Sequence, residues 1–315
     1  MRGFGLAMAL GAVLTAAVPV AAQDVIPERR AIYLDDADLP GGDIASLFDT
    51  SVDACERACI ANTRCEALTY NSRNGSCFLK AAPGEAAFYQ GAFSARIVDT
   101  DPAAIARAET RAAELAFLSR FDLDRALVQA AGLGGLHITG DFTVEEHLAS
   151  AAQAEAGRDP GVAATYLGAI VNVTDDPAHW AEYARLLRAE AARDGNLRSD
   201  REQRALNALI NAYLRADAPA QRHTILADMG AVLEQVGRGR DTVQALRLAQ
   251  DLQPRDDTAV ALDDAIGKYG FRITENEVQS DLARPRMCAV FSEDLARSGV
   301  DYATFVQLPE PGLVV

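Results

Sequence analysis

Residues 55–77 read CERACIANTRCEALTYNSRNGSC and hold four of the chain's five cysteines. Few other features restrict a fold so strongly, because each chemistry open to clustered cysteines demands its own spacing. Zinc ribbons present C-x2-C knuckles in two pairs. The spacing here is C-x3-C-x5-C-x11-C with no histidine nearby. A dithiol redox site needs C-x-x-C at a helix start, and that motif is absent. Two disulfides remain, and they require an oxidising compartment.

The amino terminus agrees. Arg2 precedes an apolar run from Phe4 to Val18, and small residues follow to Ala22. A basic start, an apolar stretch and a V-x-A end describe a secretory signal peptide over residues 1–22, cut between Ala22 and Gln23. The mature protein is expected to be exported, periplasmic or extracellular, since no later run is long and apolar enough for a membrane span. Formal net charge is −15, and of 30 basic residues only Lys80 and Lys268 are lysines. Such an acidic chain, without a basic stripe, is not built to bind nucleic acid.

Three zones follow. In residues 23–100, a helix over about Ser51–Ile60 places Cys55 and Cys59 on one face. Strands are expected at Ala31–Leu34, Ala67–Asn71, Cys77–Lys80 and Phe93–Val98. Cys59 lies close in sequence to Cys65, whereas Cys77 sits on a later strand that can return beneath the helix start. Residues 101–270 are Ala-rich and helical. Helices are expected at Pro102–Ser119, Thr143–Gly157, Gly161–Asn172, Pro177–Arg193, Ser199–Ala216, Pro219–Val236, Arg240–Leu252 and Asp257–Tyr269. Their starts carry Asp141/Thr143 with Glu145-Glu146, Asp176-Pro177, Ser199 with Glu202, and Ala218-Pro219. The stretch DPAHWAEYARLLRAEA, with Trp180, Tyr183 and Ala184 at helical spacing, resembles tetratricopeptide hairpins; an irregular bundle is the other reading. Residues 271–315 alternate as FRITENEVQS, RMCAVFSEDL and TFVQLPEPGLVV, which read as strands without enough elements to close a sandwich. An unclosed sheet leaves open edges, so the chain is expected to be the front part of something longer.

The stretch DADLPGGDIASLFDTSVDACERACIANTRCEALTYNSRNGSCFLK resembles a PAN/apple domain spanning about residues 30–98. The likeness rests on the LPGGD turn, the helical C-x3-C, the C-x-A-x-T-Y-N strand and the closing C-F-L-K. It implies a small disulfide-stapled α+β fold with bridges Cys55–Cys77 and Cys59–Cys65, and a module that binds protein or glycan. The third bridge of longer apple domains, joining the ends, has no cysteines here.

A wider resemblance covers the order of the parts: signal peptide, PAN module, Ala-rich helices, then CAVFSEDL and a later VQL strand. This order is similar to the amino-terminal end of bacterial, specifically alphaproteobacterial, alpha-2-macroglobulins. It implies that residues 271–315 begin a macroglobulin-like β-sandwich in an exported protease inhibitor, a trap whose partners are proteases. The C-x-E-Q thioester of that family and a bait segment are both absent from these residues. The alternative is a free-standing exported adaptor built from a PAN module and helical repeats. Cys288, the odd cysteine, is expected either to bridge to a segment not present here or to stay reduced as a small buried hydrophobe.

Other constellations carry no chemistry at sequence level. His137 and His147 flank Asp141, Glu145 and Glu146, but read as loop and helix-surface residues rather than metal ligands. His179 and His223 read as structural. GLGG at 132–135 lacks the strand, Lys and Ser/Thr of a phosphate loop and reads as a turn. Asp35, Asp36, Asp38 and Asp43 lack calcium-loop spacing and read as a solvated turn. No nucleophile–base arrangement appears, so no catalytic residue, no metal ligand and no cofactor is expected.

Overall fold

The computed structural model describes residues 24–281, 283–295 and 298–306; the expected cleavage point at Ala22 and Gln23 lies outside them. Strands β1 (Arg29–Asp38), β2 (Asp43–Leu47), β3 (Ala67–Asn71), β4 (Ser76–Lys80) and β5 (Ala87–Asp99) form one antiparallel sheet in the order β1-β5-β3-β4-β2. Helix α1 (Val52–Ala61) crosses one face of it. Ser51 caps α1 by accepting from the Ala54 N–H, which satisfies one of the free donors of the first turn. At the other end, the Arg29 guanidinium donates to the carbonyls of Cys59 (3.1 Å), Ile60 (2.9 Å) and Asn62 (3.0 Å) and also to that of Cys65. A cation there satisfies orphan carbonyls and complements the helix dipole.

The ends of this small domain are held without a third disulfide. Arg29 pairs with Asp99 at 2.9 Å, and the Thr100 hydroxyl donates to the Pro27 carbonyl at 2.7 Å. Val25 and Ile26 then continue into the core of the helical region, where both are buried.

The helices run α2 (Pro102–Glu114), α3 (Arg120–Leu136), α4 (Val144–Ala156), α5 (Pro160–Thr174), α6 (Pro177–Arg193), α7 (Arg198–Arg215), α8 (Pro219–Gln235), α9 (Gly239–Leu252) and α10 (Asp256–Tyr269). From α4 to α10 neighbours in sequence pack together as helical repeats, whereas α2 and α3 pack chiefly on α7, which is buried from Ala205 to Arg215, with α3 also meeting α5. The starts are local chemistry: capping boxes Ser119/Asp122 and Thr143/Glu146, and Asp-Pro pairs at 101–102, 159–160 and 176–177. Ser199 is an exception, since α7 begins at Arg198 without a side-chain cap.

The helix expected over Pro102–Ser119 stops at Glu114, and α3 lies wholly beyond that expected end, where no helix was anticipated. A turn at 115–118 separates α2 from α3, and α3 runs through GLGG, which sequence reasoning had read as a turn. Glycine weakens helices by about 1 kcal/mol per residue, yet a tertiary contact here requires it. A Cβ on Gly134 would stand 2.1 Å from the carbonyl oxygen of Ala31 on β1. The bare helix backbone lets α3 lie against the sheet edge, and the Asn172 amide on α5 donates to that same carbonyl at 3.0 Å.

The junction is anchored by Asp175, which caps α5 in the left-handed region (φ 52°). One oxygen meets Arg30 of β1 at 2.8 Å; the other accepts from Arg215 Nε at 2.5 Å and from Trp180 Nε1 at 3.0 Å. Arg215 stacks over the Trp180 ring, 5.2 Å from its centroid.

Beyond Tyr269, β6 (Ile273–Gln279) and β7 (Arg286–Phe291) form a two-stranded hairpin, with Glu277 opposite Cys288. Part of the stretch read as a third strand is instead a 3-10 turn at Tyr302–Phe305, and residues 307–315 lie outside those described.

Two outcomes test this junction. Gly134→Ala should lower stability by about 2 kcal/mol through overpacking, whereas Gly132→Ala, with nothing within 4 Å of the added carbon, should raise it by up to about 1 kcal/mol; urea unfolding of both variants separates packing from propensity. Asp175→Asn keeps an acceptor and a residue tolerant of the left-handed region, but removes the negative charge that compensates two buried guanidiniums. It should cost about 3 kcal/mol, read as a drop in the unfolding midpoint.

Candidate functional site

Strand alternation divides the sheet into two unlike faces. Ala31, Tyr33, Leu68, Cys77, Leu79 and Ala95 point toward α1 and form a small core with Cys55, Cys59 and Cys65. The sulfurs join Cys55 to Cys77 and Cys59 to Cys65, with Cα atoms 5.7 and 5.3 Å apart. By the chain-entropy account the bridges contribute about 3 and about 2 kcal/mol, the longer loop more. A domain of about 70 residues buries too little apolar surface to do without them. Cys288 is unpaired among the described residues and half-buried.

The opposite face is free of that work. The same strands present Thr69, Asn71, Phe78, Lys80 and Ala92 there, around a groove of about 370 Å³. Its floor is knit together. The Thr69 and Ser94 hydroxyls lie 2.7 Å apart, Ser94 donates to the Ala37 carbonyl at 2.8 Å, and the Leu39 N–H donates to Thr69 at 3.3 Å. Lys80 is almost fully buried and its Nζ meets Asp43 at 2.5 Å, while lying 5.8 Å from the centre of the Phe78 ring.

The LPGG turn makes one wall, for a steric reason. Gly42 has φ +71°, and a Cβ on it would lie 2.4 Å from the Ala82 carbonyl oxygen. Gly84 N–H donates back to the Pro40 carbonyl at 2.8 Å, so turn and loop are clamped together. Tyr89, 47% exposed, lines the groove beside Asn71. An aromatic face next to amide, carboxylate and ammonium groups suits a ligand with apolar faces and hydrogen-bonding edges.

The other candidates fall outside this groove. His137 and His147, expected on the surface, are both buried. His137 Nε2 lies 2.9 Å from the Tyr183 hydroxyl, and His147 Nε2 lies 2.9 Å from the Thr139 carbonyl. The correction has a packing cause: His137 caps α3 and its ring fills the space left by Gly168, where a Cβ would be 2.2 Å from Cδ2. His223 is buried between the Ala249 carbonyl and the Thr258 hydroxyl; His179 bonds Thr174 at the surface. Asp36 accepts from the Gly91 N–H and Asp43 is taken by Lys80. Among the described residues no group of three or more His, Cys, Asp or Glu is placed to hold a metal ion.

Sequence reasoning placed Phe78 on the expected strand Cys77–Lys80 without a site role, and it missed Tyr89 and strand β2. The available signal was the alternation in AFYQGA, which precedes the expected strand Phe93–Val98 and is continuous with it in β5.

Comparison with known proteins agrees with the small domain. Residues 31–99 match the family model described as the PAN domain, a protein- or carbohydrate-binding module. No curated protein and no solved structure matches the chain. Residues 31–99 are a PAN domain, followed by helical repeats, and among the described residues no helix is long and apolar enough to cross a membrane.

Burial of His137, with Arg204 and Arg201 nearby, pushes its imidazole down to about 4. A depressed folded-state value means the stability it contributes is present above the unfolded value near 6.5 and is lost as pH falls toward 4. Between pH 7.5 and 4.5 this residue should remove about 2 to 3 kcal/mol. Denaturant titrations of wild type and His137→Gln at the two pH values check it; the variant should lose that much less.

Proposed function

We propose that this chain is an exported binding protein whose PAN domain takes a protein or glycan ligand in the groove of its open sheet face, and that it acts by binding rather than by catalysis. The observation that carries this reading is Tyr89, exposed beside Asn71 and the Asp43–Lys80 pair on a face that the disulfide core does not need. Export is supported by four cysteines joined in two disulfides, a state that persists in oxidising compartments.

A finer reading makes the chain the amino-terminal region of a macroglobulin-type protease inhibitor, with the PAN domain as its recognition module and proteases as partners of the whole protein. The β6–β7 hairpin supports it. Ile273, Val278 and Met287 are exposed, and Phe271 stacks on Phe291 at 5.1 Å. A hairpin of two strands is marginal alone, and these apolar side chains match the inner face of a larger β domain. The complete gene product, mixed with general proteases, should then inhibit them stoichiometrically, while residues 23–315 alone should not. Absence of inhibition by the complete product returns the reading to an adaptor.

For the groove, glycan and peptide arrays supply a ligand, and calorimetry supplies its affinity. Tyr89→Ala should weaken binding by about 1 to 2 kcal/mol, a factor of roughly 5 to 30, without moving the thermal midpoint. Asn71→Ala should act in the same direction. Unchanged affinity in both variants would remove the groove as the binding site.

A further inference from the structure

A second cavity, also of about 370 Å³, opens where the PAN domain meets α3. It lies on the side of the sheet opposite the groove, and it exists only because the two regions are docked. From the PAN side come Tyr33, Tyr70 and Phe93, with Asp53 and Glu56 one turn apart on α1. From the helical side come the bare backbone at Gly132 and Gly135 and the apolar side chains of Leu136 and Ile138.

The walls are already held. Tyr33 donates to Glu56 Oε2 at 2.7 Å, and Tyr70 donates to the Thr50 carbonyl at 3.1 Å. Their rings are thereby turned into fixed sides of the cleft. Neither Asp53 nor Glu56 makes an ion pair with a described residue. Burial pushes the Glu56 carboxyl up; the Tyr33 hydroxyl and Arg57 oppose the shift, and the neighbouring Asp53 adds to it. A half-buried negative charge walled by aromatic rings is compensated best by a cation on an apolar stem.

The surface beyond the mouth distinguishes a polypeptide from a free amine. Gly132 and Leu136 also line a trough along α3, about 510 Å³, which continues past Val128 to Phe121; its surface is mainly apolar, with Asp124, Arg125 and Arg204 at its edges and Arg125 over the Phe121 ring. Phe121 and Val128 are largely exposed. A small amine would use the cleft and leave this trough bare, whereas an extended segment fills both. The chain's net charge of −15 favours encounter with a basic partner.

We infer that the cleft between the PAN domain and α3 receives a lysine or arginine side chain of a partner protein, whose flanking apolar residues lie along α3. The inference does not depend on the ligand of the sheet groove.

The test uses the mature chain and an acetylated, amidated Gly-Lys-Leu-Leu-Gly peptide, with a second peptide carrying norleucine in place of lysine, and butylamine. The lysine peptide should bind saturably, and the norleucine peptide at least about tenfold more weakly. Glu56→Gln keeps an acceptor for Tyr33 but removes charge, and should weaken the lysine peptide by about five- to tenfold. Gly135→Leu places a side chain where nothing lies within 4 Å; it should abolish binding while leaving the thermal midpoint unchanged or higher, since leucine favours helix over glycine. Equal binding of the two peptides, no saturable binding up to about 5 mM, or full binding by Gly135→Leu would each overturn the inference. Butylamine binding as tightly as the peptide would overturn the partner protein as occupant.

Discussion

A single carboxylate, Asp175, holds the two halves of this molecule in register. It is only 13% exposed, and its oxygens are shared between Arg30 from the sheet, Arg215 from α7 and the indole N–H of Trp180. Two buried guanidiniums without this partner would each carry an uncompensated desolvation cost, so the arrangement is stable only when all members are present. Burial draws the Arg215 guanidinium down from its usual range, against the pull of Asp175. The left-handed backbone at Asp175 matters for the same reason: it ends α5 where the carboxylate can reach both arginines.

That anchor works because the contact around it is made of backbone. Gly134 brings α3 against the Ala31 carbonyl, Asn172 bonds the same oxygen, and Gly140 N–H donates to the Tyr33 carbonyl at 3.3 Å. Side-chain packing between rigid elements tolerates small shifts, but hydrogen bonds to a strand carbonyl do not. The PAN domain and the repeats therefore present one continuous surface, and the cleft beside α3 has walls from both.

The PAN domain itself separates stability from recognition. Disulfides, Tyr33 and most of the aliphatic side chains occupy the α1 side, so the apolar core of the domain does not draw on the groove-lining Asn71 and Tyr89. Thr69 and Ser94 are satisfied there by each other and by the backbone, which stiffens the groove floor without using Asn71 or Tyr89. Asn71 is itself oriented by accepting from the Arg73 N–H at 3.0 Å, and walls fixed in advance lower the ordering cost of binding.

Much of the architecture was legible from local chemistry. Cysteine spacing set the stapled domain; Asp-Pro pairs and Ser/Thr caps set most helix starts; the alternation in ALTYN set β3. These signals act over a few residues, and the physics behind them is complete within a turn or a pleat. The failures share the opposite property. GLGG became helix because a strand 100 residues earlier needed a close approach, and His137 was buried because Gly168 left it room. Neither partner is recognisable from the stretch it rescues. Tyr89 and Phe78 became groove residues only when β4 and β5 took their places on either side of β3. Composition and short-range spacing determined which elements exist and that two disulfides staple them. Which faces are covered, which carboxylates stand unpaired and where a cleft opens were decided by tertiary docking, because burial is a property of neighbours rather than of sequence.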